Sequence, residues 1–139
     1  MENMKMDSSE QLKIVLSSFG FKYGDPVEVN MVLDVRFLPN PYWLADLRAK
    51  TGKVREVAEY VLKSDAGRSF LGHLEPLLQC IVEQNISVGK KSLHIAIGCT
   101  GGRHRSVAVT EKIALFLQQF SVQLTVFHRD IERDGQIDE

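Results

Sequence analysis

The fold of this chain is decided by the stretch Ile95-Ala96-Ile97-Gly98-Cys99-Thr100-Gly101-Gly102-Arg103-His104-Arg105-Ser106-Val107-Ala108-Val109. An apolar run typical of a strand ends in a small, glycine-rich turn. An apolar helical pattern begins directly after three basic side chains and a hydroxyl. This order predicts a ring of backbone N–H groups at a helix N-terminus, where the helix dipole favours negative charge. We therefore expect the turn to bind a phosphorylated or otherwise anionic ligand.

The composition is that of one ordinary globular domain. The chain has 139 residues, of which 44% are hydrophobic and 25% are charged, so its core needs no metal or disulfide to stabilise it. The formal net charge of −1 gives no overall attraction to nucleic acids or membranes. The N-terminus has no apolar signal core, and no apolar run approaches membrane-spanning length. We expect a cytoplasmic protein with no membrane partner.

Apolar patterning predicts four strands and three helices. The strands are expected at 11–19, 30–35, 92–97 and 122–127, and the helices at 53–63, 69–85 and from 102 or 103 to 119. The strand–helix–strand order near the C-terminus implies a parallel pair with a right-handed crossover. The predicted fold class is α/β: a single domain with a small, mainly parallel sheet flanked by helices, and an anion-binding loop at the carboxyl end of a strand.

Local features refine this prediction. The strand at 30–35 is apolar on both faces, which is typical of a central strand. Pro76 is expected to kink or split the second helix, and Cys80 falls in an apolar helical pattern typical of the core. The predicted boundaries are a loose leader at 1–11, the domain at 12–129 and a charged tail at 130–139.

The candidate ligand-binding residues of the turn are its hydroxyls, glycines and cations: Thr100, Gly101, Gly102, Arg103, His104, Arg105 and Ser106. Glycines allow positive φ angles and let the backbone approach a ligand closely. The Arg105 guanidinium offers a planar fork that binds phosphate through two hydrogen bonds. The glycine spacing does not match a Walker A loop, so we do not expect this loop to hydrolyse nucleotides.

An enzymatic alternative rests on Cys99. The spacing of Cys99, five residues, Arg105 and Ser106 is that of cysteine-dependent phosphatases, in which helix N–H groups and an arginine activate a thiolate. Gly98 stands where those enzymes usually have histidine, and no mobile aspartate loop is evident as the acid. In the structural alternative, Cys99 is a small residue at the end of a buried strand.

Five further residues are expected beside the turn, because they follow strands whose carboxyl ends meet at one edge of a parallel sheet. They are Tyr23, Asp34, Arg36, Asn40 and His128. Asp34 can orient an arginine, bind sugar hydroxyls, or form a simple ion pair at the strand end. Asn40 can bind a hydroxyl or stabilise its own turn. His128 can add a cationic wall or lie exposed, and Tyr23 can close the pocket.

No cofactor and no metal are expected. No set of cysteines and histidines has the spacing of a zinc site. His73 and His94 fall within helix and strand patterns, as expected of structural residues.

Four blocks of the sequence resemble the C-terminal domain of RapZ, the RNase adapter protein family. They are residues 18–24, 34–41, 98–107 and 128–130, in the order of the family. The resemblance implies an α/β domain with an anionic-ligand pocket, which in the family is linked to sensing glucosamine-6-phosphate. It assigns to the pocket Thr100, Gly101 and Arg105, with His104, Ser106 and Tyr23 nearby. The family often has histidine at the position of Tyr23.

Other family properties are not expected to transfer. Family members usually carry an N-terminal P-loop nucleotide-binding domain, and this sequence is expected to be a stand-alone C-terminal domain without it. Enterobacterial members bind small RNAs through a very basic tail. Here the tail has five acids after residue 129, which would repel phosphates. Lys90, Lys91, Arg103 and Lys112 remain as a basic face for RNA. The resemblance also implies homo-oligomers of unspecified number.

The leading hypothesis is a non-catalytic binding and sensor module for a small phosphorylated metabolite, which acts through a protein partner. By resemblance, that metabolite is an amino-sugar phosphate such as glucosamine-6-phosphate. The alternatives are a cysteine-dependent phosphatase-like enzyme that uses Cys99 and Arg105, and an RNA-binding adapter.

Overall fold

The protein is built on a four-stranded sheet in which every strand runs parallel to its neighbours. The computed structural model describes residues 10–133. The strands are β1 (Leu12–Gly20), β2 (Met31–Asp34), β3 (Ser92–Cys99) and β4 (Val122–His128), in the spatial order β2-β3-β1-β4. The α/β prediction is therefore confirmed, and the carboxyl ends of the four strands share one edge of the sheet.

The helices are α1 (Ala45–Arg48), α2 (Arg55–Leu62), α3 (Asp65–Ser87) and α4 (Arg105–Leu117), and 3-10 turns lie at Phe21–Tyr23 and Pro41–Trp43. α3 begins at Asp65, four residues before the predicted start, because the Ser64 hydroxyl accepts a hydrogen bond from Gly67 N–H (3.0 Å) and caps the helix. α4 connects β3 to β4 and begins directly after the glycine-rich turn.

One face of the sheet carries the hydrophobic core. Alternate residues of a strand point to the same face, and Ile14 of β1 and Ile95 of β3 are fully buried there. α3 and α4 cover this face with Leu78 and Ile113, which belong to the same cluster. The opposite face is only partly covered, and Phe127 remains 45% exposed there.

The prediction that residues 30–35 form a central strand is wrong, because β2 lies at the edge of the sheet. Met31 and Leu33 pack against the core, whereas Val32 is exposed on the other face. An apolar run on two faces is typical of a strand with two neighbours. Here the second apolar face is partly open to solvent.

α3 is not split at Pro76, because it continues as one helix from Asp65 to Ser87. The prediction of a core position for Cys80 is wrong. Cys80 is exposed, because Leu78 and Val82 define the buried side of the helix.

No helix within residues 10–133 is both long enough and apolar enough to cross a lipid bilayer.

Adjacent leucines of α3 test the assignment of its buried side. Leu78 is fully buried and Leu77 is 50% exposed. Leu78→Ala should lower the free energy of unfolding by about 2–5 kcal/mol, because it removes buried contacts and leaves a cavity. Leu77→Ala, the matched control, should cost less than about 1 kcal/mol. Urea denaturation measures both values, and equal losses would contradict the assignment.

Candidate functional site

The glycine-rich turn is held from three sides at the carboxyl edge of the sheet. We call residues 99–106 the cradle. Lys22 N–H donates to Thr100 O (3.1 Å), and Gly52 N–H donates to Arg103 O (2.9 Å). At the end of β3, Val35 N–H donates to Gly98 O (2.9 Å). The segments that follow β1 and β2 therefore pack directly against the cradle, as predicted from the parallel sheet.

The end of β1 and the cradle approach each other more closely than side chains would allow. A Cβ atom on Gly20 would lie 2.4 Å from the carbonyl carbon of Gly101, and one on Gly102 would lie 2.5 Å from Gly20 N. Gly102 also has a φ of +79°, which L side chains rarely adopt. Glycine is required at these positions because two backbones cross in contact.

Backbone donors of the cradle are left without protein acceptors. Within the described range 10–133, no carbonyl or side chain accepts from the N–H groups of Gly101, Gly102 or Arg103. Both glycines are buried, and buried N–H groups usually have partners. Unpaired N–H groups beside the start of α4 are the arrangement that binds anions at helix N-termini.

The Arg105 guanidinium is buried, and only part of it is used by the protein. Arg105 is 4% exposed. Its Nη1 donates to Arg36 O (2.8 Å) and Leu38 O (3.4 Å), which ties the loop after β2 to α4. The other edge carries Nε, which is buried and has no acceptor in the part of the chain that the structure describes. Nη1 of Arg105 thus binds carbonyls of the protein, whereas the Nε–H group has no hydrogen-bond acceptor among the described residues.

Cys99 and Ser106 form a closed pair at the base of the cradle. The Cys99 thiol donates to Ser106 Oγ (3.2 Å), and the Ser106 N–H donates to Cys99 Sγ (3.4 Å). Cys99 is 0% exposed. The pair joins the end of β3 to the first turn of α4, and the sulfur is out of contact with solvent.

The other two basic side chains of the turn also bind backbone carbonyls, although the buried Nε of Arg103 has no acceptor among residues 10–133. Arg103 donates from Nη2 to Ala49 O and from Nη1 to Ile131 O (3.0 Å). His104 is 1% exposed, and its Nε2 lies 2.9 Å from Arg48 O. These contacts attach the cradle to the segments on either side of it.

Asp34 and Arg36 form an ion pair at the end of β2. Arg36 Nη2 lies 2.6 Å from Asp34 Oδ2 and Nε lies 3.0 Å from Oδ1, with the Arg36 guanidinium 4.0 Å from the centroid of the Phe21 ring. The hydrogen bond from Arg36 lowers the pKa of Asp34, and the charge of Arg105 acts in the same direction. Asp34 is therefore a carboxylate at neutral pH, beside the cradle and half-exposed.

The other predicted site residues, Tyr23, Asn40 and His128, make three different kinds of contact. Tyr23 follows the segment bound to Thr100, with the Arg133 guanidinium 4.5 Å from its ring centroid. Asn40 stabilises its turn, because its Oδ1 accepts from Tyr42 N–H (3.0 Å). His128 is neither exposed nor a wall of the cradle.

His128 instead links the sheet to α4. Its Nδ1 lies 2.7 Å from Ser18 Oγ, and its Nε2 lies 2.7 Å from Glu111 Oε2. The strand-end position alone suggested that this histidine adds to the cationic edge. The strand alternation decides otherwise, because His128 pairs with Ser18 in the register of β1 and β4 and shares its buried face.

Sequence reasoning missed the residue that supports the cradle from below. Asp130, the first residue of the predicted tail, is fully buried, and its Oδ2 accepts from Gly20 N–H (2.7 Å). Arg129 and Arg133 form ion pairs with the same carboxylate (2.8 and 2.9 Å). A charged C-terminal segment resembles a solvated tail, and only the contact with Gly20 identifies its role. Residues 134–139 of the predicted tail and 1–9 of the predicted leader lie outside the described residues.

No group of histidine, cysteine and carboxylate side chains within residues 10–133 is arranged to hold a metal ion. The donors available at the cradle are backbone N–H groups and a guanidinium, which suit an anion.

Comparison with known proteins gives a match over most of the chain. A family model described as the RapZ C-terminal domain matches residues 12–132. Proteins called nucleotide-binding protein are similar to this chain. The one from Caldicellulosiruptor saccharolyticus is 46% identical over 127 residues, 91% of this chain and 43% of its own length. The one from Streptomyces coelicolor is 45% identical over 128 residues, 92% of this chain and 43% of its own. The chain thus spans less than half the length of these relatives.

The close crossing of Gly20 and the cradle can be tested with alanine. Gly20→Ala should lower the free energy of unfolding by about 1–3 kcal/mol, because the new Cβ collides with a backbone that has no room to move. Gly72→Ala, where nothing lies within 4 Å, should raise it by about 0.5–1 kcal/mol through helix propensity. Chemical denaturation compares the two variants, and a stable Gly20→Ala protein would contradict the crossing.

Proposed function

The chain belongs to the RapZ C-terminal domain family, and from this premise we propose that it is a non-catalytic module that binds a small phosphorylated metabolite at the cradle. The ligand class is an amino-sugar phosphate such as glucosamine-6-phosphate. Binding at the cradle acts on a protein partner through the difference between the ligand's affinities for the partner-bound and partner-free states of the module.

One observation carries this proposal: the buried Nε of Arg105, which has no acceptor in the described part of the chain. An unpaired buried donor is costly, and a charged one more so. A phosphate oxygen meets that need at the edge that carries Nε and Nη2. The N–H groups of Gly101 and Gly102 supply further donors from the adjacent backbone.

The charge of Asp34 supports the amino-sugar class. The Asp34 carboxylate is half-exposed and accepts hydrogen bonds. The other groups of the adjacent site are N–H donors and positively charged side chains. An ammonium or hydroxyl group of the same ligand can bind its oxygens while the phosphate lies in the cradle. A ligand with anionic groups at both ends would be repelled at this position.

Arg105→Lys separates the shape of the guanidinium from its charge. Lysine keeps the positive charge but lacks the second N–H edge, so binding of glucosamine-6-phosphate should weaken by about 10- to 100-fold, the equivalent of one or two charge-assisted hydrogen bonds. Isothermal titration calorimetry measures the affinity, with inorganic phosphate and glucose-6-phosphate as comparison ligands.

The matched control is Arg55→Lys, at an exposed arginine of α2 that pairs only with Glu59 in the described chain. It should bind glucosamine-6-phosphate as tightly as the unmodified protein.

Circular dichroism checks that Arg105→Lys is folded, because the Arg105 side chain also donates hydrogen bonds to two carbonyls. A folded Arg105→Lys variant with unchanged affinity would refute the assignment of the cradle. Equal affinity for all three ligands would refute the amino-sugar class and leave a general phosphate site.

The phosphatase alternative retains one favourable observation, the contact between Cys99 Sγ and Ser106. A hydroxyl in this position stabilises a thiolate in enzymes of that type. Against it, Cys99 is fully buried, so a phosphorus atom has no direct path to the sulfur. Asp34 is held ionised by Arg36 and cannot serve as the acid for a leaving group.

Cys99→Ser distinguishes binding from turnover. In a binding module the variant should keep its affinity for glucosamine-6-phosphate within about threefold, because the small polar replacement retains a hydrogen bond to Ser106. Neither protein should release phosphate from p-nitrophenyl phosphate. Turnover by the unmodified protein that disappears in Cys99→Ser would establish the enzymatic alternative instead.

The basic face considered for RNA is not assembled in the structure. Lys90 and Lys91 precede β3 and Arg103 follows it. Eight residues of extended strand separate these groups by about 26 Å. Lys112 lies beside Glu59 and Glu75 in a pocket of mixed charge. An RNA-binding role therefore has weaker support than the cradle.

A further inference from the structure

A second polar arrangement lies on the partly exposed face of the sheet, away from the cradle. Ser17 of β1 and His94 of β3 are diagonal neighbours, since Val15 is the register partner of His94. Ser17 Oγ lies 2.9 Å from His94 Nε2. This distance places a hydroxyl and an imidazole in direct hydrogen-bond contact.

The loop before β2 is bound to the backbone of His94. Asn30 Oδ1 accepts from His94 N–H (2.8 Å), and Asn30 N–H donates to His94 O (2.9 Å). The Glu28 backbone, on the same loop, acts to raise the pKa of the His94 imidazole, against the larger effect of burial. Glu28 has a φ of +56°, a strained conformation for a residue with a side chain.

In the tautomer that carries its proton on Nδ1, the His94 Nε2 presents its lone pair and the Ser17 hydroxyl donates to it. A serine hydroxyl that donates to a histidine nitrogen is the contact through which a general base activates a nucleophile.

The surroundings keep this histidine neutral. Burial lowers the pKa of His94 from its ordinary value of 6.5, so the imidazole is a free base at neutral pH. The charged groups around it are the Asp25 carboxylate and the Arg129 guanidinium, which line the same cavity, and the Glu28 side chain on the adjoining loop.

A cavity of about 250 Å³ opens on the pair. Its polar lining includes Ser17 and His94 together with Asp25 and Arg129, and its apolar walls include Phe19, Val27 and Phe127. The volume is below the usual range for drug-sized ligands, which limits the occupant to a small molecule in contact with apolar side chains.

We propose that Ser17 is a nucleophile activated by His94 and that the cavity accepts small activated esters with a short apolar acyl group. The Ser17 oxygen attacks the acyl carbon while its proton passes to His94 Nε2. The bond to the leaving oxygen breaks, and His94 returns the proton to that oxygen. Water, deprotonated by His94, then hydrolyses the acyl-serine.

A fluorophosphonate reagent tests the nucleophile on the full chain. Attack forms a bond from Ser17 Oγ to phosphorus, fluoride leaves, and the proton goes through His94 to solvent. The expected result is one adduct per chain, located at Ser17 rather than Ser18 by fragmentation mass spectrometry. Hydrolysis of p-nitrophenyl acetate by the same protein gives the acyl-transfer rate.

His94→Gln should slow labelling by about 100-fold or more, because it removes the base and keeps a polar side chain of similar size. His73→Gln is the matched control, since His73 is exposed on α3 and contacts only the Ser69 carbonyl among the described residues. The pKa of His94 is lowered by burial, so the labelling rate of the unmodified protein should stay level through the ordinary titration range of histidine and fall only at more acidic pH, where His94 is protonated. The two histidine variants and the pH profile test the role of Ser17 without a substitution at Ser17 itself, which could prevent folding.

Absence of an adduct at Ser17 in the folded protein would overturn the proposal. An equal labelling rate in His94→Gln would overturn it as well, because the serine would then react without its base. Neither result depends on ligand binding at the cradle.

Discussion

The structure of the candidate site depends on the contact between two backbones, that of Gly20 at the end of β1 and that of Gly101 and Gly102 in the cradle. A single Cβ on either side would bring atoms within 2.4–2.5 Å of each other. Because neither strand end can move away without breaking the parallel ladder, the cradle has one available path. The buried Asp130 carboxylate secures that path by accepting the Gly20 N–H. The N–H donors of the cradle are thus held in place by the fold itself, which would lower the entropic cost of binding the proposed ligand.

Positive charge is concentrated at this edge, but most of it is neutralised or shared within the protein. Arg36 pairs with Asp34, and Arg129 pairs with Asp130. Arg103 uses its guanidinium to attach the cradle to Ala49 and Ile131. In Arg103 and Arg105 alike, the guanidinium binds carbonyls while the buried Nε has no acceptor within residues 10–133, and Arg105 is the more buried of the two. The number of arginines in the sequence is therefore larger than the number whose charge is left available to a ligand.

The two faces of the sheet use serine and histidine in different ways. On the core face, His128 lies between Ser18 and Glu111, and Ser18 is fully buried. That chain of contacts joins β1, β4 and α4. On the other face, His94 binds Ser17 beside a cavity. Adjacent residues of β1 thus reach separate environments because strand side chains alternate.

The sequence by itself determined the α/β class, the parallel order around the glycine-rich turn and the position of that turn at a strand end. These follow from local patterns: apolar periodicity, glycine breakers and the start of a helical repeat. The tertiary structure alone decided that β2 is an edge strand, that Cys80 is exposed and that Arg105 is half committed to carbonyls. It also decided that Asp130 lies beneath the cradle. Each of these depends on a neighbour distant in the chain, such as the pairing of Asp130 with Gly20. Residue type and spacing determine which secondary structure a segment favours. Its burial and its hydrogen-bond partners depend on the segments that pack against it.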